Sequence, residues 1–257
     1  VSDLISLTVP PRPVAVTRIA LGFATLLVAL EGAVILLHIA EGRMAVPVPG
    51  PWLGADDLGI APLLLSAVAG VGLVVGIRPG WCAALIVVTE SLVLLADQQL
   101  YSNHRILLLL VCAGMVFARA DAALAPGASS RPDAVPWWPQ LLMLAAVSSC
   151  YLFAGLSKIN PEWWSGSQLD GLRWIELSGT QLHVLAAATI LTEIAISIGL
   201  WLPRVRLAAI VLGLGLHTSI ALVMPAPFVF VGFALLCVSV YPLALTRPAL
   251  AVETAPT

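Results

Sequence analysis

The chain alternates long apolar runs with short polar breaks. A helix that crosses a membrane needs about 20 consecutive, mostly apolar residues to span the hydrocarbon core. About eight such runs are present, starting near Ala15, Ile60, Trp81, His104, Trp137, Gln181, Arg206 and Ala226, the last ending near Leu245. The pattern predicts an all-α fold: a polytopic transmembrane helix bundle of about eight membrane helices with re-entrant or interfacial outer segments. One membrane domain over residues 1–257, without an internal repeat, accounts for the whole pattern. An even number of crossings puts both ends of the chain on one side of the bilayer.

The breaks divide into two kinds. Arg78-Pro79-Gly80 and Leu202-Pro203-Arg204 are short and turn-like. The connections from about Glu41 to Gly59 and from Asn160 to Thr180 are longer and mix aromatics with acids; long irregular segments are commonly functional. Val46-Pro47-Val48-Pro49-Gly50-Pro51-Trp52 is too rich in proline for a helix and suits a loop folded back over the bundle. Arg12, Arg18, Arg78, Arg119, Arg131, Arg204, Arg206 and Arg247 fall at ends or loops of one parity, against Arg43, Arg105, Lys158 and Arg173 on the other. The positive-inside rule then places both termini in the cytoplasm. Tryptophans mark the expected interfaces: Trp81, Trp137, Trp138 and Trp201 inside, Trp52, Trp163, Trp164 and Trp174 outside.

Composition agrees. Hydrophobic residues make up 60% of the 257, charged residues only 10%, and the mean hydropathy is +1.02. A water-facing exterior takes about 25% charged residues, so the lipid bilayer is the expected solvent and partner. A net charge of −2 with no basic run offers nothing to nucleic acid. Val1 to Pro13 leads into the first apolar run without a small-residue cleavage site, so that run reads as a membrane helix rather than a signal peptide. Cys82, Cys112, Cys150 and Cys237 each sit in an apolar run without C-x-x-C spacing, as small buried residues do.

The chemistry is sought among charges at bilayer depth, where each ionisable group costs about 2.5–3.5 kcal/mol and needs a partner or a function. These are Glu31, His38, Glu90, Glu193 and His217, with Asp97, His104 and Lys158 nearer the outer helix ends. Glu90 and Asp97 are spaced to share one helix face, as are Tyr151 and Lys158, with Gly155 one turn before the lysine. Glu31 and Glu193 can equally hydrogen-bond a neighbouring helix, His38 suits a structural or interfacial place, and His217 suits packing as well as function. Lys158 either snorkels to the surface or, in a dry pocket, serves as a neutral base.

Three segments resemble the HTTM superfamily, whose best-known member is the vitamin K-dependent gamma-carboxylase. Tyr151-Leu-Phe-Ala-Gly-Leu-Ser-Lys158-Ile-Asn-Pro-Glu-Trp-Trp-Ser-Gly166 resembles the family signature. Tyr101-Ser-Asn-His104 is similar to its Asn-His element, and Leu216-His217-Thr-Ser-Ile-Ala followed by Pro225-Ala-Pro-Phe228 to its later His element. Thr192-Glu193 through Leu202-Pro203-Arg204 fits its acidic helix and exit turn. The resemblance implies that Lys158 is the base that deprotonates a reduced prenyl-quinone before oxygen adds, that His104 and Asn103 orient the quinone oxygens, and that His217 polarises the opposite end of the site. The candidate site taken as a whole has Lys158, His104 and Asp97 as catalytic residues and Asn103, Tyr101, Tyr151, Glu90, Glu193, His217 and Trp163 as substrate-binding residues. Two departures stand out. Ser157 occupies the place of the carboxylase's second lysine, and the chain stops soon after its last helix, where the carboxylase carries a large non-membrane region. The expectation is therefore the lipid half-reaction without protein carboxylation.

Three functions compete. The first is a membrane enzyme on an isoprenoid or quinone-type small molecule, with prenyl-quinol epoxidation as its chemistry. The second is an isoprenoid (terpene) cyclase, in which acids such as Asp56-Asp57, Glu90 and Asp97 guide a carbocation that aromatics shield; magnesium enters if its substrate is a diphosphate. The third is a non-catalytic lipid-binding or immunity-type membrane protein.

Overall fold

The computed structural model describes residues 5–43, 52–54, 58–170, 176–224, 227–246 and 249–250. The proline-rich stretch 46–51, Asp56-Asp57, Arg173, Trp174, Pro225 and Arg247 lie outside the described residues. Among the described residues eight long helices carry the fold: α1 (Pro11–Ala40), α2 (Ala61–Val75), α3 (Pro79–Ala96), α4 (Asn103–Phe117), α5 (Trp138–Ser157), α8 (Gly179–Gly199), α9 (Arg206–Val223) and α10 (Pro227–Ser239). Short helices α6 (Pro161–Trp164) and α7 (Ser167–Asp170) follow α5, and α11 (Tyr241–Ala244) follows α10.

Local chemistry sets the ends. Proline stands in the first turn of α1, α2, α3 and α5, where its missing N–H costs nothing. At the end of α2, Gly76 adopts φ 86° and returns its N–H to the Gly72 carbonyl. Ser178 and Gln181 form a reciprocal capping box at the start of α8. Helices α1, α3, α5, α8 and α9 are long and apolar enough to cross a membrane, whereas α2, α4 and the span Phe230–Ala244 are shorter. The helices thus agree with the expected bundle, although three of the expected runs fold as helices shorter than a full crossing. The α2 run is cut at Gly76, and α4, which begins at Asn103 as expected, ends already at Phe117.

The long helices form a closed ring in the order α1, α2, α3, α4, α5, α8, α9, α10, with α10 packed back on α1. Outward faces are apolar: Val68, Trp81, Leu191 and Leu222 are 68–77% exposed. Such surface belongs in lipid, where every backbone polar group must be satisfied within its own helix. Three short antiparallel strands, β1 (Leu7–Val9), β2 (Val135–Pro136) and β3 (Ala249–Leu250), pair in the order β2-β1-β3. Leu7 lies opposite Leu250, so the two ends of the described chain meet at one end of the bundle.

Two arginines sit inside the ring rather than at a water-facing loop. Arg105, fully buried, donates from Nη1 to Glu90 Oε2 at 2.7 Å and from Nη2 to the Val28 carbonyl at 2.9 Å. Ser66 Oγ completes the carboxylate at 3.1 Å, so α1, α2, α3 and α4 are tied by one polar cluster. Arg18, also fully buried, donates to the carbonyls of Leu73, Val74, Ala120 and Leu124. It thereby satisfies acceptors that the end of α2 leaves open. Both arginines were expected at ends or loops; burial removes them as markers of a membrane side. Trp137 likewise moves from the expected interface into the core.

Arg105→Leu strands the Glu90 carboxylate in an apolar interior. We expect a loss of about 3–5 kcal/mol in stability, largely recovered by Arg105→Leu/Glu90→Leu. Unfolding of the detergent-solubilised protein measures both; equal loss in the single and double variants contradicts the pairing.

Candidate functional site

Helices α4, α5, α8, α9 and α10 surround a cavity of about 1140 Å³. Along α5 its wall runs from Ala146 to Lys158, about 18 Å at 1.5 Å per residue. Most of that length is apolar. Helix α9 contributes Val211, Leu212, Gly215, Leu216 and Ile220, and aromatic rings come from Phe153, Phe230 and Phe233. The wall is not sealed, since Phe153 and Val211 are 67% and 61% exposed.

Polar groups gather where α5 ends and α4 begins. Lys158 follows the last turn of α5, its N–H returned to the Gly155 carbonyl. Its Nζ donates to Glu193 Oε1 and Oε2 at 2.8 and 2.7 Å and to the Ala154 carbonyl at 3.1 Å. All three ammonium donors are therefore in use. The two side chains are 19% and 9% exposed. The Trp163 ring lies 5.2 Å from Nζ, within cation–π range. Asn160 seats that tryptophan by accepting its backbone N–H at 2.9 Å, and Trp163 Nε1 donates to the Ala186 carbonyl at 3.2 Å.

Gly155 sets how closely α8 approaches. A Cβ at this position would lie 2.9 Å from Ile194 Cγ1 and 3.4 Å from Glu193 Cβ. A larger residue would push apart the two helices that carry the Lys158–Glu193 pair.

A second pair faces the same cavity from α4. His104 lines the wall, and its Nε2 lies 2.6 Å from Glu31 Oε2 of α1 and 3.1 Å from Ser102 Oγ. Asn103 and Tyr101 complete this side. Six of the ten residues selected from sequence thus border one cavity: Tyr101, Asn103, His104, Lys158, Trp163 and Glu193.

The other four are placed elsewhere. Tyr151 and His217 stand behind the wall, with Tyr151 Oη 2.5 Å from His217 Nε2 and 2.6 Å from Tyr241 Oη. Phe233, whose ring meets His217 edge-on at 5.7 Å, separates that group from the cavity. Glu90 belongs to the Arg105 cluster. Asp97 does not share a helix face with Glu90: α3 ends at Ala96, Asp97 is extended, and its carboxylate accepts the Gln99 N–H at 2.7 Å. Sequence spacing did not reveal Glu31 as the partner of His104 or Arg105 as the partner of Glu90; the only signal was that each is an ionisable group in an apolar run. Among the described residues no group of three His, Cys, Asp or Glu side chains is placed to hold a metal ion.

A family model, the HTTM domain, matches residues 59–245. No curated protein and no solved structure matches the chain. The matched range runs from α2 to α11 and holds both walls of the cavity, while Glu31, on α1, precedes it.

Gly155→Val is expected to cost about 1–3 kcal/mol by overpacking the α5–α8 contact, and Gly155→Ala less. Thermal unfolding in detergent measures the series; a Val variant as stable as the wild type contradicts the close approach.

Proposed function

The chain belongs to the HTTM domain family, and on that premise we propose that it is an integral membrane enzyme acting on an isoprenoid lipid, with Lys158 as general base. The observation that carries this reading is the largely buried Lys158–Glu193 pair at the polar end of a cavity otherwise mostly apolar for about 18 Å. A lipid with a small protic head and a long hydrocarbon tail matches that division of surface.

The pair supplies the base in two steps. A dry cavity disfavours separated charge, so passing one ammonium proton to Glu193 leaves a neutral amine beside a carboxylic acid. That amine then takes a proton from the lipid head, so an ammonium and a neutral Glu193 stand beside the lipid oxyanion, and the pair returns to its ionised form when one proton leaves with the product. Asn103 and His104, on the facing wall, orient the head oxygen. The finer reading makes the head a prenyl-quinol, which supplies the reducing equivalents while oxygen is the oxidant, with an epoxide as product.

One observation favours a second reading. Tyr101, Phe153, Trp163, Phe230 and Phe233 ring the cavity, as suits a carbocation in an isoprenoid cyclase. A diphosphate substrate, however, needs surplus positive charge, and Lys158 is already neutralised by Glu193.

Lipid products should be profiled from matched membranes containing wild type, Lys158→Met and Lys158→Met/Glu193→Gln, the last avoiding a stranded carboxylate. Prenyl-quinols and prenyl diphosphates are supplied with and without oxygen. We expect an oxygen-dependent epoxide that falls by about 10²-fold or more in both variants. An oxygen-independent isomer or cyclised hydrocarbon sinks the epoxidase reading and favours the cyclase. Unchanged turnover in the variants removes Lys158 as the base.

A further inference from the structure

We propose that Glu31 is a positioning residue that fixes His104 as a hydrogen-bond acceptor toward the cavity, making the site selective for a lipid whose head is a hydroxyl donor. This rests on the reading of the cavity as a lipid site and narrows the head group it takes.

Most donors and acceptors at the polar end are already committed to one another. Lys158 spends all three N–H groups on Glu193 and Ala154, so it offers an incoming head no free donor. On the facing wall, His104 Nε2 lies 2.6 Å from a Glu31 carboxylate oxygen. A carboxylate only accepts, so Nε2 carries the proton and donates it. In the neutral imidazole that choice leaves Nδ1 with its lone pair. The ring lines the cavity, and Nδ1 is the nitrogen left for a ligand. The side chains of His104 and Glu31 are only 10% and 12% exposed, so water competes weakly for this bond and the tautomer is held.

Both sides of the polar end therefore favour the same ligand chemistry. An O–H group satisfies Nδ1 of His104, and its proton can pass to the Lys158–Glu193 pair. An ether or ester of the same shape leaves Nδ1 unpaired in a largely apolar cavity, a costly arrangement. Glu31 acts through His104 and is not itself on the wall. It comes from α1, ahead of the range that the family model covers, so the domain boundary drawn by the family model leaves out a residue the site depends on.

The experiment uses the full chain in detergent or lipid nanodiscs, with 4-dodecylphenol and its methyl ether as redox-stable probes. Wild type should bind the phenol about tenfold more tightly than the ether, the worth of one buried hydrogen bond. Glu31→Leu, which frees the tautomer and lets Nδ1 donate to an ether oxygen, should bring that ratio close to one by tightening ether binding. A parallel loss of both ligands, or an unchanged ratio, overturns the positioning role and leaves the lipid site standing. If wild type binds neither probe, the lipid-site reading fails and the inference with it. A measurement on the wild type alone covers a variant that does not fold. Histidine-specific ¹⁵N NMR should show His104 with Nε2 protonated and Nδ1 bare, and the opposite tautomer overturns the proposal.

Discussion

In hydrocarbon a charge has no water to fall back on, and the bundle is organised by that constraint. Arg105 pairs with Glu90 and Lys158 with Glu193, and the Glu31 carboxylate takes the His104 N–H, each contact between different helices. Arg18 has no carboxylate and uses four carbonyls instead. Each partnership is worth little as stabilisation over an apolar substitute, yet breaking one side is expensive. The pairs therefore act chiefly as registration. They specify which helix lies against which, in a bundle whose outer faces are uniformly apolar and could slide past one another.

That registration separates the ring into two halves of different character. Where α1 to α4 meet, the Arg105–Glu90–Ser66 cluster occupies the interior, and its hydrogen bonds join the helices to one another. Where α4, α5, α8, α9 and α10 meet, the interior stays open. Helix α9 buries only Ala209, Gly213 and His217 and packs on its two ring neighbours, which keeps the space between it and α5 unfilled. His104 and Glu31 join the two halves, so the helix that anchors the filled half also shapes one wall of the open one.

The functional proposal depends on this division. A lysine and a carboxylate are in contact at the end of an apolar cavity, and the proposed chemistry uses that contact to move a proton. The aromatic wall and the tyrosine–histidine group behind it add shape and rigidity. They do not by themselves choose between oxygenation and cyclisation; the identity of the lipid head does, and the arrangement of His104 and Lys158 bears on that point.

How much of this was legible along the chain can be argued residue by residue. Twenty apolar residues have few ways to satisfy their backbone in lipid, so the eight helices and the membrane setting followed from composition and run length alone. The family resemblance lay in contiguous motifs, and such motifs survive in a linear reading. Six of the ten selected residues border one cavity: His104, Lys158 and Glu193 stood out as ionisable groups in a chain poor in charge, and Tyr101, Asn103 and Trp163 came with the motifs. The partners were another matter. Glu31 and His104 are far apart in sequence, as are Glu90 and Arg105, and no periodicity links residues on helices that meet only after folding. Arg18 and Arg105 looked like loop markers and proved to be interior clamps, since local sequence does not say whether an arginine reaches water or a neighbouring carbonyl. The helical content was thus determined by the solvent the chain must live in, and the site by packing, which decides which charges are close enough to neutralise one another.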